Sequence, residues 1–286
     1  MTQVRPAAVA GTWYPGSATA LQAAVDRHLS HARSGAGRRL DELVAVIAPH
    51  AGLVYSGAVA ACAYDAVRER SFDVIVLVGP SHFVSFDGVS VCAAGRFQTP
   101  LGDAWIDEPC AAAIIAATPL VRDLPTVHSR EHSLEMQLPF IQRVAPSARI
   151  VPLLMGSQTA ETARTLGEAL GRVLPGRRAL LVASSDLSHY HDATTAARLD
   201  GVVIDHVGRF DADGLQSALE QQPQHACGGG PMVAVMRGAR ALGAHEAVVL
   251  RYADSGDVSG DKSSVVGYLA AALGRRRPGE RREQDS

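Results

Sequence analysis

The chain has 286 residues, 47% of them hydrophobic, enough for one large domain with a sizeable buried core. Its 27 Lys and Arg nearly cancel its 29 Asp and Glu, so no global field favours nucleic acid or an anionic membrane, and a small-molecule substrate or a peptide is the expected partner. No apolar run approaches the roughly 20 residues of a bilayer span, and Met1 to Pro15 lacks the apolar centre of a secretion signal, which predicts a cytoplasmic protein.

Leu43 to Ala48 is apolar at every position and predicts a strand buried on both faces. It runs into Ala48-Pro49-His50-Ala51-Gly52, and Ser56 to Arg68 follows as a helix. Val74 to Val78 predicts a second strand, ending in Gly79-Pro80-Ser81-His82. The alternating valines of Gly88 to Ala93 predict a hairpin arm outside the main alternation. Glu131-His132-Ser133-Leu134-Glu135-Met136-Gln137-Leu138-Pro139 opens a helix over Ser133 to Val144. His132 and Glu135 are pocket candidates there, although capping and packing explain them equally well.

Ile150 to Leu154 and Ala179 to Ala183 are further buried strands, with a helix at Thr159 to Val173 between them. The second leads into Ser184-Ser185-Asp186-Leu187-Ser188-His189-Tyr190-His191, ahead of a helix at Thr194 to Val207. Cys227-Gly228-Gly229-Gly230-Pro231 precedes the last helix, Pro231 to Leu242, and strands at Ala247 to Tyr252 and Ser264 to Ala271 complete the pattern. The fold class predicted is α/β, one domain over residues 1–274 with a central, mostly parallel or mixed sheet flanked by helices on both faces. Residues 275–286 read as a disordered polar tail, and Ser34 to Arg39 as a solvated, mobile segment.

Ligands of open α/β sheets bind beyond the carboxyl ends of the strands. Chance placement of 11 histidines would rarely put one at three such exits, each beside Gly, Pro or Ser, so a shared site built on His50, His82 and His189 explains the pattern better than three unrelated loop histidines. Cys62, Cys92 and Cys110 sit in apolar or helical surroundings as small hydrophobes. Cys227 differs: its glycines allow close backbone approach, and the following helix N-terminus favours a thiolate. Two histidines and one anionic ligand would hold a metal while leaving positions open, an arrangement that suits iron or copper better than a closed structural zinc site. Asp186 could fix the tautomer of His189 as a general base, with His191 close behind.

The ordered segments Gly11-Thr12-Trp13-Tyr14-Pro15, Ala48 to Gly52, Leu77 to His82, Glu131 to Pro139, Ser184-Ser185-Asp186 and Cys227-Gly228 resemble Memo proteins, whose prokaryotic members are called AmmeMemoRadiSam system protein B. The likeness runs from about Arg5 to Leu273. It implies the fold of the class III extradiol dioxygenase catalytic subunit, in which two histidines and a glutamate hold nonheme iron. It maps the metal ligands onto His50, His82 and Cys227, the acid/base histidine onto His189 and a further pocket residue onto Asp186. It also implies iron or copper redox chemistry, and pathway partners of AMMECR and radical SAM type. Thiolate in place of carboxylate changes ligand softness, so ring cleavage does not follow. Two other functions fit the residues. One is a metal-free hydrolase with Cys227 as nucleophile, His189 as base, Asp186 as orienter and the Gly228 and Gly229 amides as oxyanion site. The other is a non-catalytic module that uses an ancestral pocket to bind a peptide or partner protein.

Overall fold

The structure is a computed structural model and describes residues 3–32 and 40–276. The segment expected to be mobile at Ser34 to Arg39, and the tail beyond Arg276, lie outside the described residues. In the first half run β1 (Val4–Arg5), α1 (Ala18–His31), β2 (Glu42–Ala48), α2 (Leu53–Asp65), β3 (Val74–Pro80), β4 (Val89–Val91), β5 (Arg96–Thr99) and β6 (Gly102–Trp105). Next come α3 (Glu108–Ala117), β7 (Val121–Asp123), α4 (Leu138–Val144), β8 (Arg149–Met155), α5 (Ala160–Val173), β9 (Ala179–Ser184) and β10 (His189–His191). The chain closes with α6 (Ala193–Gly208), α7 (Ala212–Gln221), α8 (Gly229–Ala241), β11 (Glu246–Asp254), α9 (Gly256–Ser259) and β12 (Val265–Arg275).

The main sheet has the order β10-β12-β2-β9-β3-β8-β4-β7, and β11 also pairs with β12. Its centre, β2-β9-β3-β8, is parallel. These strands are apolar because both faces are covered, and Val76, Val151 and Leu181 are fully buried. Crossover handedness fixes which helix covers which face. The β2-α2-β3 connection steps two strands one way and β8-α5-β9 two strands back, so right-handed crossovers put α2 and α5 on opposite faces. Helices α1 and α4 pack beside α2, and α3 and α8 beside α5.

Three sequence expectations change. The valines of 88–93 form no separate hairpin: β4 lies inside the main sheet, antiparallel to β8 and parallel to β7. Its polar residue, Ser90, is buried rather than wet, because its hydroxyl donates to the Leu124 carbonyl and contacts His128 Nε2. The helix expected over Ser133 to Val144 is a short 3-10 turn at Glu135–Gln137 followed by α4, whose Pro139 sits in the first turn, where its missing N–H costs no hydrogen bond. Arg275, assigned to the tail, is the last residue of β12, paired with Glu42 of β2. The sequence reading also passed over α1, α3, α7 and the small sheet β1-β5-β6.

His128 yields a pH prediction. It is 1% exposed, and burial, assisted by nearby Arg5, lowers its pKa to about 3. The unfolded chain therefore binds a proton there that the folded chain refuses, so this contribution to stability is present above about pH 6.5 and is lost as pH falls toward 3. Urea titrations of metal-free protein between pH 7 and 4 should show stability falling with acid. His128→Gln should flatten that slope by up to one proton, whatever its effect on stability at pH 7.

Candidate metal centre

The carboxyl ends of β2, β9 and β3 are neighbours, so the loops after them meet over the sheet centre, about 4.8 Å from strand to strand. They carry His50, Ser184 to Asp186, and His82. A fourth segment closes over them: Ser133 Oγ donates to the Pro80 carbonyl at 2.9 Å and brings His132 in beside the other two rings. Glycine at 79 permits this, because a Cβ there would stand 2.8 Å from Leu134 Cδ2. The rings of His50 and His82 are 5.2 Å apart and nearly perpendicular, while His82 and His132 stack at 4.6 Å. One ring nitrogen from each of His50, His82 and His132 lies within 4.8 Å of the others, a group able to hold a metal ion.

Hydrogen bonds fix the tautomers. The Ser184 hydroxyl spends its single proton on the Ser133 carbonyl at 2.6 Å, so the 2.9 Å contact with His50 Nδ1 must be donated by the imidazole. Gln137 Nε2 also donates to that hydroxyl oxygen at 2.7 Å. Glu131 accepts from His82 Nδ1 at 2.9 Å and from the backbone amides of His82, His132 and Ser133. His50 and His82 therefore both keep an Nε2 lone pair, the form a metal requires. Burial favours the neutral ring: it lowers His50 well below the ordinary value, with His82 and His132 adding to the effect, and takes His132 down to about 4. Burial alone would raise the Glu131 carboxyl, yet the hydrogen bonds from His82 and Ser133 hold it at about 2.

Cys227 stands beside this group, its Sγ 3.3 Å from His50 Nε2 and accepting the Asp186 amide at 3.3 Å. Gly228 lets that loop lie flat on the β9 loop, since a Cβ there would stand 2.5 Å from the Ser184 carbonyl oxygen. The thiolate expected from the helix N-terminus is not favoured in metal-free protein: burial, together with the nearby Asp186 carboxylate, pushes the thiol well above its ordinary range. Asp186 also has a different part from the one expected. Its Oδ1 accepts the amides of His50 at 2.7 Å and Ala51 at 3.2 Å, so it clamps the His50 loop. His189 takes its tautomer from the Leu187 carbonyl, 2.8 Å from Nδ1.

Glu135 does not line the pocket. It is fully buried, pairs with Arg5, and accepts the Ala8 and Val9 amides and the Tyr14 hydroxyl. It thereby anchors the segment that lays Trp13 against His132, ring centroids 4.2 Å apart. His191 makes none of the described contacts with the histidine group.

A family model described as Memo-like protein matches residues 5–272. The chain belongs to the Memo family. Proteins described as MEMO1 family proteins match it nearly end to end: one from Nitrosopumilus maritimus is 34% identical over 93% of this chain and 98% of its own length, and one from Methanosarcina mazei is 38% identical over 94% and 98%. Among solved structures, the uncharacterized protein JW3007 from Escherichia coli K12 shares the fold, with a TM-score of 0.55 at 14% identity over 82% of this chain and all of that one.

Within this Memo chain the most informative residue the sequence reading passed over is Glu131. Its signal was present in the acidic residue directly before His132. Glu131→Gln should keep the fold but weaken metal binding about 10- to 100-fold, because the amide cannot serve both His82 Nδ1 and three backbone amides. Competition with a chelator of known affinity measures this.

Proposed function

We propose that the protein holds one iron or copper ion on His50 and His82, with Cys227 or His132 completing the set, and acts as a redox protein or oxygen-dependent oxidoreductase. The observation that carries this reading is the convergence of three ring nitrogens, two of them with their opposite nitrogens already tied to Ser184 and Glu131. Imidazole nitrogen with a neighbouring sulfur is a donor set suited to iron and copper, and three protein ligands leave positions open. When bound, such an ion would supply one-electron or Lewis-acid chemistry.

The chain's own groups do the rest. Asp186 holds the His50 loop, and Glu131 holds the His82 ring together with the His132 loop. His189, whose Nδ1–H is committed to the Leu187 carbonyl, presents Nε2 as the atom that takes or gives a proton. Trp13 and Phe83, both partly exposed, lie against His132 and narrow the approach. The metal-free hydrolase finds less support, because the imidazole at the Cys227 thiol is His50 rather than His189, and burial opposes thiolate formation.

Elemental analysis of protein purified anaerobically without chelator tests the reading. It predicts roughly one iron or copper per chain. Protein that contains no metal and takes none up on reconstitution would overturn it. The same material, mixed with dioxygen and a reductant, should show metal-dependent oxygen uptake if the oxidoreductase assignment holds.

A further inference from the structure

His189 stands on β10, which pairs with β12 at only two positions, His189 with Val266 and His191 with Val265, with a register shift between them. So short a pairing is marginal by itself. At the shift Tyr190 is 78% exposed and takes a φ of 63°, a left-handed conformation that a bulky residue keeps only where its surroundings impose it. The restraint comes from α6. Asp200, fully buried on that helix, accepts the Ser188 amide at 2.9 Å through Oδ1 and the Tyr252 hydroxyl at 2.8 Å through Oδ2. From the other side, Gly267 of β12 donates its amide to the Ser188 carbonyl at 3.0 Å and accepts the Leu187 amide at 2.8 Å. The Leu187 carbonyl, held in this way, is the group that takes the Nδ1 proton of His189. Glycine at 267 is required, because a Cβ there would overlap Asp200 Oδ2.

Asp200 makes no ion pair with a Lys or Arg side chain among the described residues. A carboxylate removed from water without a cation is costly. Burial accordingly raises its proton affinity, while the Ser188 amide, the Tyr252 hydroxyl and a protonated His189 favour the ionised form. We infer that Asp200 is the positioning residue of His189: it fixes the turn that carries the ring and sets a buried negative charge behind it when the ring holds a proton. The inference rests on the reading of His189 as the proton carrier of the proposed function. The other titratable groups that face His189 are Asp186 on the loop after β9, His50 on the loop after β2, and its neighbour Tyr190. Asp186 bears on the ring by charge alone, since its carboxylate is bonded to the amides of His50 and Ala51 and not to the His189 turn. On β11, Tyr252 stays a phenol, held so by burial and by Asp200, and β12 brings only Val266 and Gly267 to the turn.

The test is NMR titration of the full chain, metal-free and labelled with 15N-histidine, with His189→Gln to assign the His189 ring. Asp200→Asn keeps an acceptor for the Ser188 amide but removes the charge. It should leave the His189 ring protonated on Nδ1 in its neutral form and lower the midpoint of its titration by about half a pH unit or more. Asp200→Ala removes the acceptor as well, so the Ser188 amide should exchange with solvent about tenfold faster or more, and the neutral ring should no longer show a single tautomer. The wild type gives a reading that no variant's folding can spoil: the Asp200 carboxyl 13C resonance should show an inflection at the His189 midpoint. A His189 midpoint unchanged in Asp200→Asn would overturn the inference and leave Asp200 a structural residue. So would an Asp200 resonance silent at that midpoint. Metal content enters none of these readings, so protein that never takes up metal would overturn the proposed function and leave this result standing.

Discussion

His82→Ala is expected to lower the bound metal from roughly one ion per chain to below about a tenth, with little change in thermal stability. Loss of a partner behind a ligand already costs about 10- to 100-fold in affinity, and loss of the ligand itself costs more. The fold should survive because His82 sits at a loop with an exposed side, whereas His50 is 2% exposed and tied into the Ser184 network. His50→Ala should therefore lose the metal and some stability together. The third position then becomes measurable. If sulfur completes the set, Cys227→Ser shifts the charge-transfer absorption and the metal affinity while His132→Ala leaves the absorption in place. If His132 completes it, no thiolate charge-transfer band is present, Cys227→Ser leaves the spectrum and the affinity unchanged, and His132→Ala lowers the affinity. Metal content unchanged in His82→Ala would remove the basis of the proposed function.

The largest expected stability effect lies outside the ligand set. Glu135→Ala should destabilise the protein by about 3–5 kcal/mol, because it leaves Arg5 as an uncompensated charge that is 5% exposed. At about 2–4 °C per kcal/mol, the melting temperature should fall by roughly 10 °C, measured by calorimetry on metal-free protein. Arg5 also donates to the carbonyls of His128 and Glu131, so the same change loosens the segment that carries His132. Metal affinity should fall as well, although Glu135 touches no candidate ligand. A melting temperature within about 2 °C of wild type would show that the Arg5 pair is relaxed in solution.

The legible part of this fold was its central strands. Runs such as Val74 to Val78 and Ile150 to Leu154 are apolar on both faces because helices cover both, and that pattern is local. Peripheral elements left weaker traces. Ser17 caps α1 by accepting the Ala20 amide, and Leu21, Val25 and Leu29 form its buried stripe, so a signal existed, but much of the remaining helix is small or polar. The short strands β5 and β6 exist through pairing with each other and β1, which no local pattern announces.

The site shows the same division. His50 and His82 follow from strand exits, since position in a parallel sheet follows from the apolar runs before them. The group formed with His132 depends on a contact between β3 and a segment some fifty residues later, made by Ser133 and Gly79. Asp186 was assigned to the histidine nearest in sequence, whereas its carboxylate reaches the amides at the end of a neighbouring strand. Glu135 is one of the polar groups set along the apolar face of its segment, which made it a pocket candidate, and its partner, Arg5, is 130 positions away.

The placement of β12 bears on how the protein is made. Residues Val265–Arg275 are an interior strand, hydrogen-bonded to β2 along one edge and to β11 along the other, with β10 pairing at its start. During synthesis β2, with His50 at its end, must wait with a bare edge until Arg275 has left the ribosome. An unpaired strand edge is a template for aggregation, and long-range pairing is slow to form. A nascent chain halted before β12 should therefore be a chaperone client that cannot build a complete sheet beneath its histidine group, so loading of metal would follow translation rather than accompany it.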